Sequence, residues 1–208
     1  MLLPEVQAVF KELTIQYDEI VLALQNNTQS ARINKLKKTY KVTTDVELLQ
    51  ALKPHPISLT LAQAAMESSW GTSRFFKEAN NVFGVWSFSK KEPRIAANGL
   101  RGSKTIWLKK YSTIRESVRD YYKNMGRSFA FKEFRQERLL SNDPLILVTK
   151  LDRYSEKGAQ YGKELHSMIT YNKFMQYDEK IKTSPIEDAI TKNEETDLPQ
   201  EQELLHNI

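Results

Sequence analysis

Apolar positions recur at i, i+3, i+4 and i+7 from Val6 through Val9, Phe10, Leu13, Tyr17, Ile20 and Val21 to Leu24, one stripe of an amphipathic helix that must pack on something. A shorter basic segment around Ile33 and Leu36 follows. Thr44, with Glu47 three residues on, reads as a capping box that opens a helix through Leu48, Leu49 and Leu52. Lys53-Pro54-His55-Pro56 closes it, because neither proline can continue the hydrogen-bond ladder. The run from Ser58 to Gly71 predicts the next helix, with Thr60 and Gln63 in capping-box relation and Gly71 as its stop. Ala62, Ala64, Ala65, Ser68 and Ser69 are all small, so neighbours can approach this helix closely and it should be central and buried. Residues 82–110 change character: Phe, Val, Trp and Ile are separated by Gly84, Pro93 and an Asn98-Gly99 turn signal, which predicts a small β-hairpin lobe. Helical signals resume at Thr113 with Glu116, at Asp143-Pro144, and in Tyr161, Leu165, Met168 and Ile169, the last running to about Tyr177.

These elements predict a mainly α fold of the α+β type. A helical extension over 1–53 precedes a helical domain with a β-hairpin lobe over 54–176, and 177–208 forms a tail expected to be disordered. A chain of 208 residues, 40% hydrophobic, can bury a real core. Its longest apolar runs, such as Leu145 to Val148, fall far short of the roughly 20 residues that span a bilayer, so no transmembrane segment is expected. The absence of cysteine excludes disulfides, thiolate metal sites and a cysteine nucleophile. Met1-Leu2-Leu3-Pro4-Glu5 lacks the basic and apolar regions of a signal peptide, so either the chain stays inside the cell or its export segment is not part of this sequence.

Charge changes the picture more. The net charge is +5, but seven of the 26 acids and one of the 31 basic residues lie in 183–208, so the rest of the chain carries +11. A body so basic suits a polyanion: nucleic acid, anionic lipid or an anionic wall polymer. No nucleic-acid-binding motif accompanies the charge, and nucleic acid is not expected as the partner. His55, His166 and His206 are too scattered for a metal site, and no phosphate loop or nucleophile elbow is present, so neither metal nor cofactor is expected. A monomer is expected.

Glu67 is the one charged residue between Lys53 and Arg74, set among alanines, serines and Trp70. A carboxyl group can act as a general acid near neutral pH only where burial or negative potential favours its neutral form. The last turn of a helix and a tryptophan at i+3 offer both, although a solvated helix glutamate is the commoner outcome. Trp70, Trp86, Tyr111 and Tyr154 could line a sugar groove or could be ordinary core.

The block Ala62-Gln63-Ala64-Ala65-Met66-Glu67-Ser68-Ser69-Trp70-Gly71-Thr72-Ser73-Arg74-Phe75, followed by Asn80-Asn81-Val82-Phe83-Gly84, resembles the glucosaminidase domains of glycoside hydrolase family 73. The likeness continues through Tyr111 to Val118, Arg153 to Gly158, Tyr161 and Tyr171-Asn172, and covers roughly 54–176. It implies a lysozyme-like fold, exposure to the cell envelope (periplasm or exterior), and hydrolysis of the β-1,4 bond after N-acetylglucosamine in the glycan strands of peptidoglycan. It implies Glu67 as the general acid and Tyr154 as the late tyrosine bordering the cleavage site, with Trp70, Asn81, Phe83, Trp86, Tyr111 and Tyr161 as substrate-binding positions. Many members place a second acid in the β-lobe; near that position this chain has Arg94 and Ile95, and Glu92 is the nearest substitute. A missing second acid leaves two readings open. One is a hydrolase, assisted by the substrate's own acetamido group or by water activated by a distant base; the other is a lysozyme-like module of the envelope that binds glycan without cutting it.

Overall fold

The computed structural model describes residues 2–178 apart from 27, 29, 102 and 103 and the side chains of 99–104; of the tail expected over 177–208, Tyr177 and Asp178 are ordered in the structure and the rest lies outside the described residues. Helix α1 (Leu2–Gln25) buries Val6, Val9, Phe10, Tyr17, Ile20 and Val21, most of the stripe legible in the sequence. Each such side chain removed from water contributes about 1.5–3 kcal/mol. The lower half of α1 joins a main core with Ile57, Leu59, Val118, Phe134, Leu165 and Ile169. Its upper half joins a second core with Ile33, Leu48, Leu49 and Leu52. Glu5 and Glu12, two turns apart on α1, pair with Arg115 and Arg119, one turn apart on α6 (Ile114–Arg127), at 2.7 and 2.8 Å, which ties α1 to α6.

The second core is built with α2 (Ala31–Tyr40) and α3 (Asp45–Leu52). Both bonds of the Thr44–Glu47 capping box are present, and Glu47 is held ionised at a pKa of about 2 by the backbone and side-chain donors of Thr43 and Thr44. Gly126 lets α6 touch this layer: a Cβ there would stand 2.5 Å from the Ala51 carbonyl oxygen and 2.8 Å from the Tyr40 ring.

The central helix α4 (Ile57–Glu67) is buried along Ile57 to Ala65, as its small residues predict. Its ends differ from expectation. It begins at Ile57, ahead of the Thr60–Gln63 box: Pro56 stands at the N-cap without a capping side chain, and Asp178 supplies the cap, accepting from the backbone N–H and the hydroxyl of Ser58 at 2.7 Å each. It stops at Glu67 rather than near Gly71, because Ser69, Trp70 and Gly71 all take positive φ. Helix α5 (Arg74–Ala79) follows, capped by Ser73.

The β-lobe is a two-stranded antiparallel hairpin, β1 (Arg94–Arg101) with β2 (Lys104–Lys109). Asn98-Gly99 is not its turn: the pair lies inside β1, where the register shifts between Ala96 and Leu100. Helices α7 (Lys132–Leu140), α8 (Pro144–Leu147, capped by Asp143) and α9 (Ala159–Tyr171) complete the domain. α9 ends at Tyr171, earlier than expected, and left-handed Lys173 turns the chain into a short 3-10 segment, Phe174–Tyr177, packed on α4. No helix among the described residues is long and apolar enough to cross a membrane.

Candidate active site

Thr60, Gln63 and Glu67 are spaced three and four apart on α4, so one face of a buried helix carries three polar side chains, and each must find a partner. Tyr161, on α9, donates to Glu67 Oε1 at 2.9 Å and accepts from Gln63 Nε2 at 3.1 Å. Gln63 Oε1 accepts from Tyr121, and the Tyr121 hydroxyl lies 2.9 Å from His55 Nε2. On the far side of the ring, His55 Nδ1 stands 3.2 Å from an Arg138 guanidinium nitrogen. A guanidinium only donates, so Nδ1 accepts, the proton sits on Nε2, and His55 donates to Tyr121. Burial agrees, driving the His55 pKa well below its usual range. Every hydrogen bond from Arg138 to Glu67 therefore runs in one direction, ending on the carboxyl oxygen. Thr60 ties the same group to Tyr122 at 2.8 Å.

Arg138 is only 1% exposed and has no carboxylate partner in this network. Instead it donates to the carbonyls of Gln50 and Ala51 at the C-terminal end of α3, where the helix dipole is negative, and burial lowers its pKa to about 10.

Glu67 is half-buried in the lining of a cleft of about 400 Å³, with Phe83, Gly84, Val85, Phe131 and Tyr154 and with Asn124 and Ser128. Burial raises its pKa, opposed by the Tyr161 hydrogen bond and the positive charge of Lys157. Such a carboxyl group can carry a proton to a pH where an ordinary glutamate has lost it, and can deliver it to an atom in the cleft. Tyr154 stacks on Tyr161 at 5.1 Å, and its hydroxyl is pushed well above the usual tyrosine range by burial and by Glu67. Phe83 stacks on Tyr121 at 3.9 Å, and Gly84, at φ 64°, takes the left-handed turn that brings its segment to the cleft.

The other sequence-derived positions lie elsewhere. Trp70 was expected against Glu67 at helical spacing; because α4 ends first, it is 61% exposed and packs toward Leu2, Phe76 and Phe174 on another face. The apolar wall beside Glu67 comes from Phe83, Val85, Phe131 and Tyr154 instead. Asn81 is 1% exposed, and its amide is engaged by Val85 N–H and the carbonyls of Val85 and Lys109, so it braces the Phe83 segment to β2 rather than facing the cleft. Tyr111 donates to Asp120 at 2.6 Å, beside the Lys109–Asp120 ion pair. Trp86, 41% exposed, bridges to Leu108 and lies 6.2 Å from the exposed Phe88 ring. Glu92 accepts from Ser87 at 2.7 Å, which lowers its pKa, and it is not among the cleft-lining residues. Gln63, Tyr121, His55 and Arg138 were not anticipated. Gln63 alone left a local signal, one turn before Glu67 with only Ala64, Ala65 and Met66 between them.

Residues 45–183 match the glucosaminidase family, described as mannosyl-glycoprotein endo-beta-N-acetylglucosaminidase. Protein bax of Escherichia coli K12 is 31% identical over 158 residues, covering 69% of this chain and 56% of that protein. The exo-glucosaminidase LytG of Bacillus subtilis 168 is 39% identical over 69 residues, 31% of this chain and 24% of that one. The chain thus spans about half of one curated relative and a quarter of the other. A crystal structure of an N-acetylmuramoyl-L-alanine amidase from Staphylococcus aureus superposes with a TM-score of 0.51 at 21% identity, covering 79% of this chain and 48% of that chain, a likeness of fold. The family match spans both α4 with Glu67 and the α9 tyrosine bonded to it, and the chain belongs to the glucosaminidase family.

Proposed function

We propose that the protein is a peptidoglycan hydrolase of the cell envelope, an endo-β-N-acetylglucosaminidase that acts as a monomer with Glu67 as general acid. The observation that supports this most is the half-buried Glu67 carboxyl, raised in pKa and held by Tyr161 in a cleft with an aromatic wall. Glu67 protonates the glycosidic oxygen as the bond to the anomeric carbon breaks. Among the described residues that line the cleft Glu67 is the one carboxylate, so no protein nucleophile stands ready there. The 2-acetamido oxygen of the N-acetylglucosamine attacks the anomeric carbon in its place, closing a five-membered ring with Tyr154 as hydrogen-bonding partner to the acetamide. Glu67, now ionised, takes a proton from the water that reopens the ring and is restored.

Two displacements at one carbon retain the β configuration. Proton NMR of the first-formed product from purified glycan strands should give the β anomer; an initial α anomer would mean direct attack by water. Mass spectrometry of reduced fragments should find N-acetylglucosaminitol at the new ends. Muramitol would mean the other bond is cut, disaccharides alone from the outset would mean exo action, and no new reducing ends with retained binding to sacculi would mean a glycan-binding module.

A further inference from the structure

Asn124 and Ser128, one turn at the end of α6, line both the cleft and a second, larger cavity of about 600 Å³. Its lining also includes Tyr40, Lys41 and Val42, from the end of α2 and the link to α3, and Arg127, Lys132 and Arg135. Lys41, Arg127 and Lys132 are exposed, and none enters an ion pair among the described residues. Arg135 is buried and donates to the carbonyls of Met125 and Ser128, which fixes the shared turn. Glu47 is the one acid of the lining, and its Oε2 is engaged by the N–H groups of Thr43 and Thr44 and the Thr43 hydroxyl. Exposed Phe129 adds an apolar surface beside the cations.

We infer that this cavity binds the acidic peptide stem of the substrate. The inference rests on the peptidoglycan reading above. In a peptidoglycan strand each N-acetylglucosamine neighbours a muramyl residue whose lactyl group carries a peptide with free carboxylates and short apolar side chains. A cavity that shares Asn124 and Ser128 with the cleft, larger than the cleft, with four cations against one acid and an aromatic ring in its lining, matches that substituent in position, charge and size. It also gives the layer of α2 and α3 a role in substrate selection, since Tyr40 to Val42 precede the family match at 45–183.

The test uses the full chain with Lys41, Arg127 and Lys132 changed together to Glu, and a second variant with all three changed to Gln. Binding is measured in the Glu67→Gln background by co-sedimentation with intact sacculi and with strands stripped of their stems by an amidase; hydrolysis is measured in parallel with Glu67 present. Three exposed charges are worth about tenfold together, so the Glu variant should bind sacculi about tenfold more weakly and the Gln variant by an intermediate factor, both losses shrinking at high salt. Binding to stripped strands should change by less than about twofold. Equal losses on both substrates, or no loss on sacculi, would overturn the inference. If the wild type releases no reducing ends, the proposed activity fails, while the binding ratio still reads the cavity.

Discussion

Glu67 and Glu92 are the same chemical group in two parts of one chain, and their surroundings drive them in opposite directions. Glu67 is held by Tyr161, a residue 94 positions away, and behind it stand Gln63, Tyr121, His55 and Arg138, joined across separations of 58 to 98 positions. Its pKa is raised by burial. Glu92 is held by Ser87, five positions away in the β-lobe, and its pKa is lowered. The difference teaches that a carboxyl group suited to donating a proton is made by the packing of α4, α6 and α9, whereas a local loop satisfies its carboxylate and keeps it ionised.

The largest expected effect comes from removing the acid. Glu67→Gln should lower kcat by about 10²–10⁴-fold while leaving glycan binding in place, measured as reducing ends released from sacculi and as co-sedimentation. Residual activity near a tenth of wild type would break the contrast with Glu92. The same variant should be more stable at neutral pH. A raised folded pKa means the folded state binds its proton more tightly than the unfolded chain, so the stability that Glu67 contributes is fully present below the ordinary carboxylate range and is lost as pH rises through the folded value. The melting-temperature gain of Glu67→Gln should therefore appear as pH rises through that window and vanish at acid pH.

Next is the support behind the acid. Gln63→Leu leaves both the Tyr161 and Tyr121 hydroxyls short of a buried partner, a loss of about 1–3 kcal/mol in chemical denaturation. It should lower kcat by about tenfold with KM little changed, because Gln63 positions Tyr161 rather than touching substrate. An unchanged kcat at the same loss of stability would make the network structural only.

Tyr161→Phe tests the sign of its hydrogen bond. That bond favours the ionised carboxyl, so its loss should raise the Glu67 pKa further. General-acid activity falls as pH rises past this pKa, so the basic limb of the kcat/KM profile should move to higher pH; a move to lower pH would contradict the assigned direction. The smallest effect is expected of Glu92→Gln, within about twofold in rate, as for a solvated surface charge. Inactivation comparable to Glu67→Gln would restore a two-carboxylate mechanism and end the substrate-assisted one.

The elements legible in the sequence were those coded within a few turns. The stripe of α1, the Thr44–Glu47 box, Asp143-Pro144 and the small residues of α4 all appear where the pattern put them. Thr60 and Gln63 had capping-box spacing but are interior residues, since Asp178 caps α4 from 120 positions away. Trp70 had helical spacing from Glu67 but left its side when the backbone turned left-handed. Asn98-Gly99 had turn chemistry but was absorbed into an irregular strand. In each case the local signal was present and a longer-range contact outweighed it.

Sequence by itself determined the helical build, the β-lobe, the family block around Glu67 and the basic charge of the body, because periodicity, capping and charge are set by residues within reach along the chain. Only the tertiary structure decided that Gln63, Tyr121, His55 and Arg138 form one directed chain of hydrogen bonds to Glu67, that Trp70 leaves its side, and that the cleft shares Asn124 and Ser128 with a basic cavity. Buried polar groups take whatever partner packing brings them, and that choice is made between helices distant in sequence, where no local pattern records it.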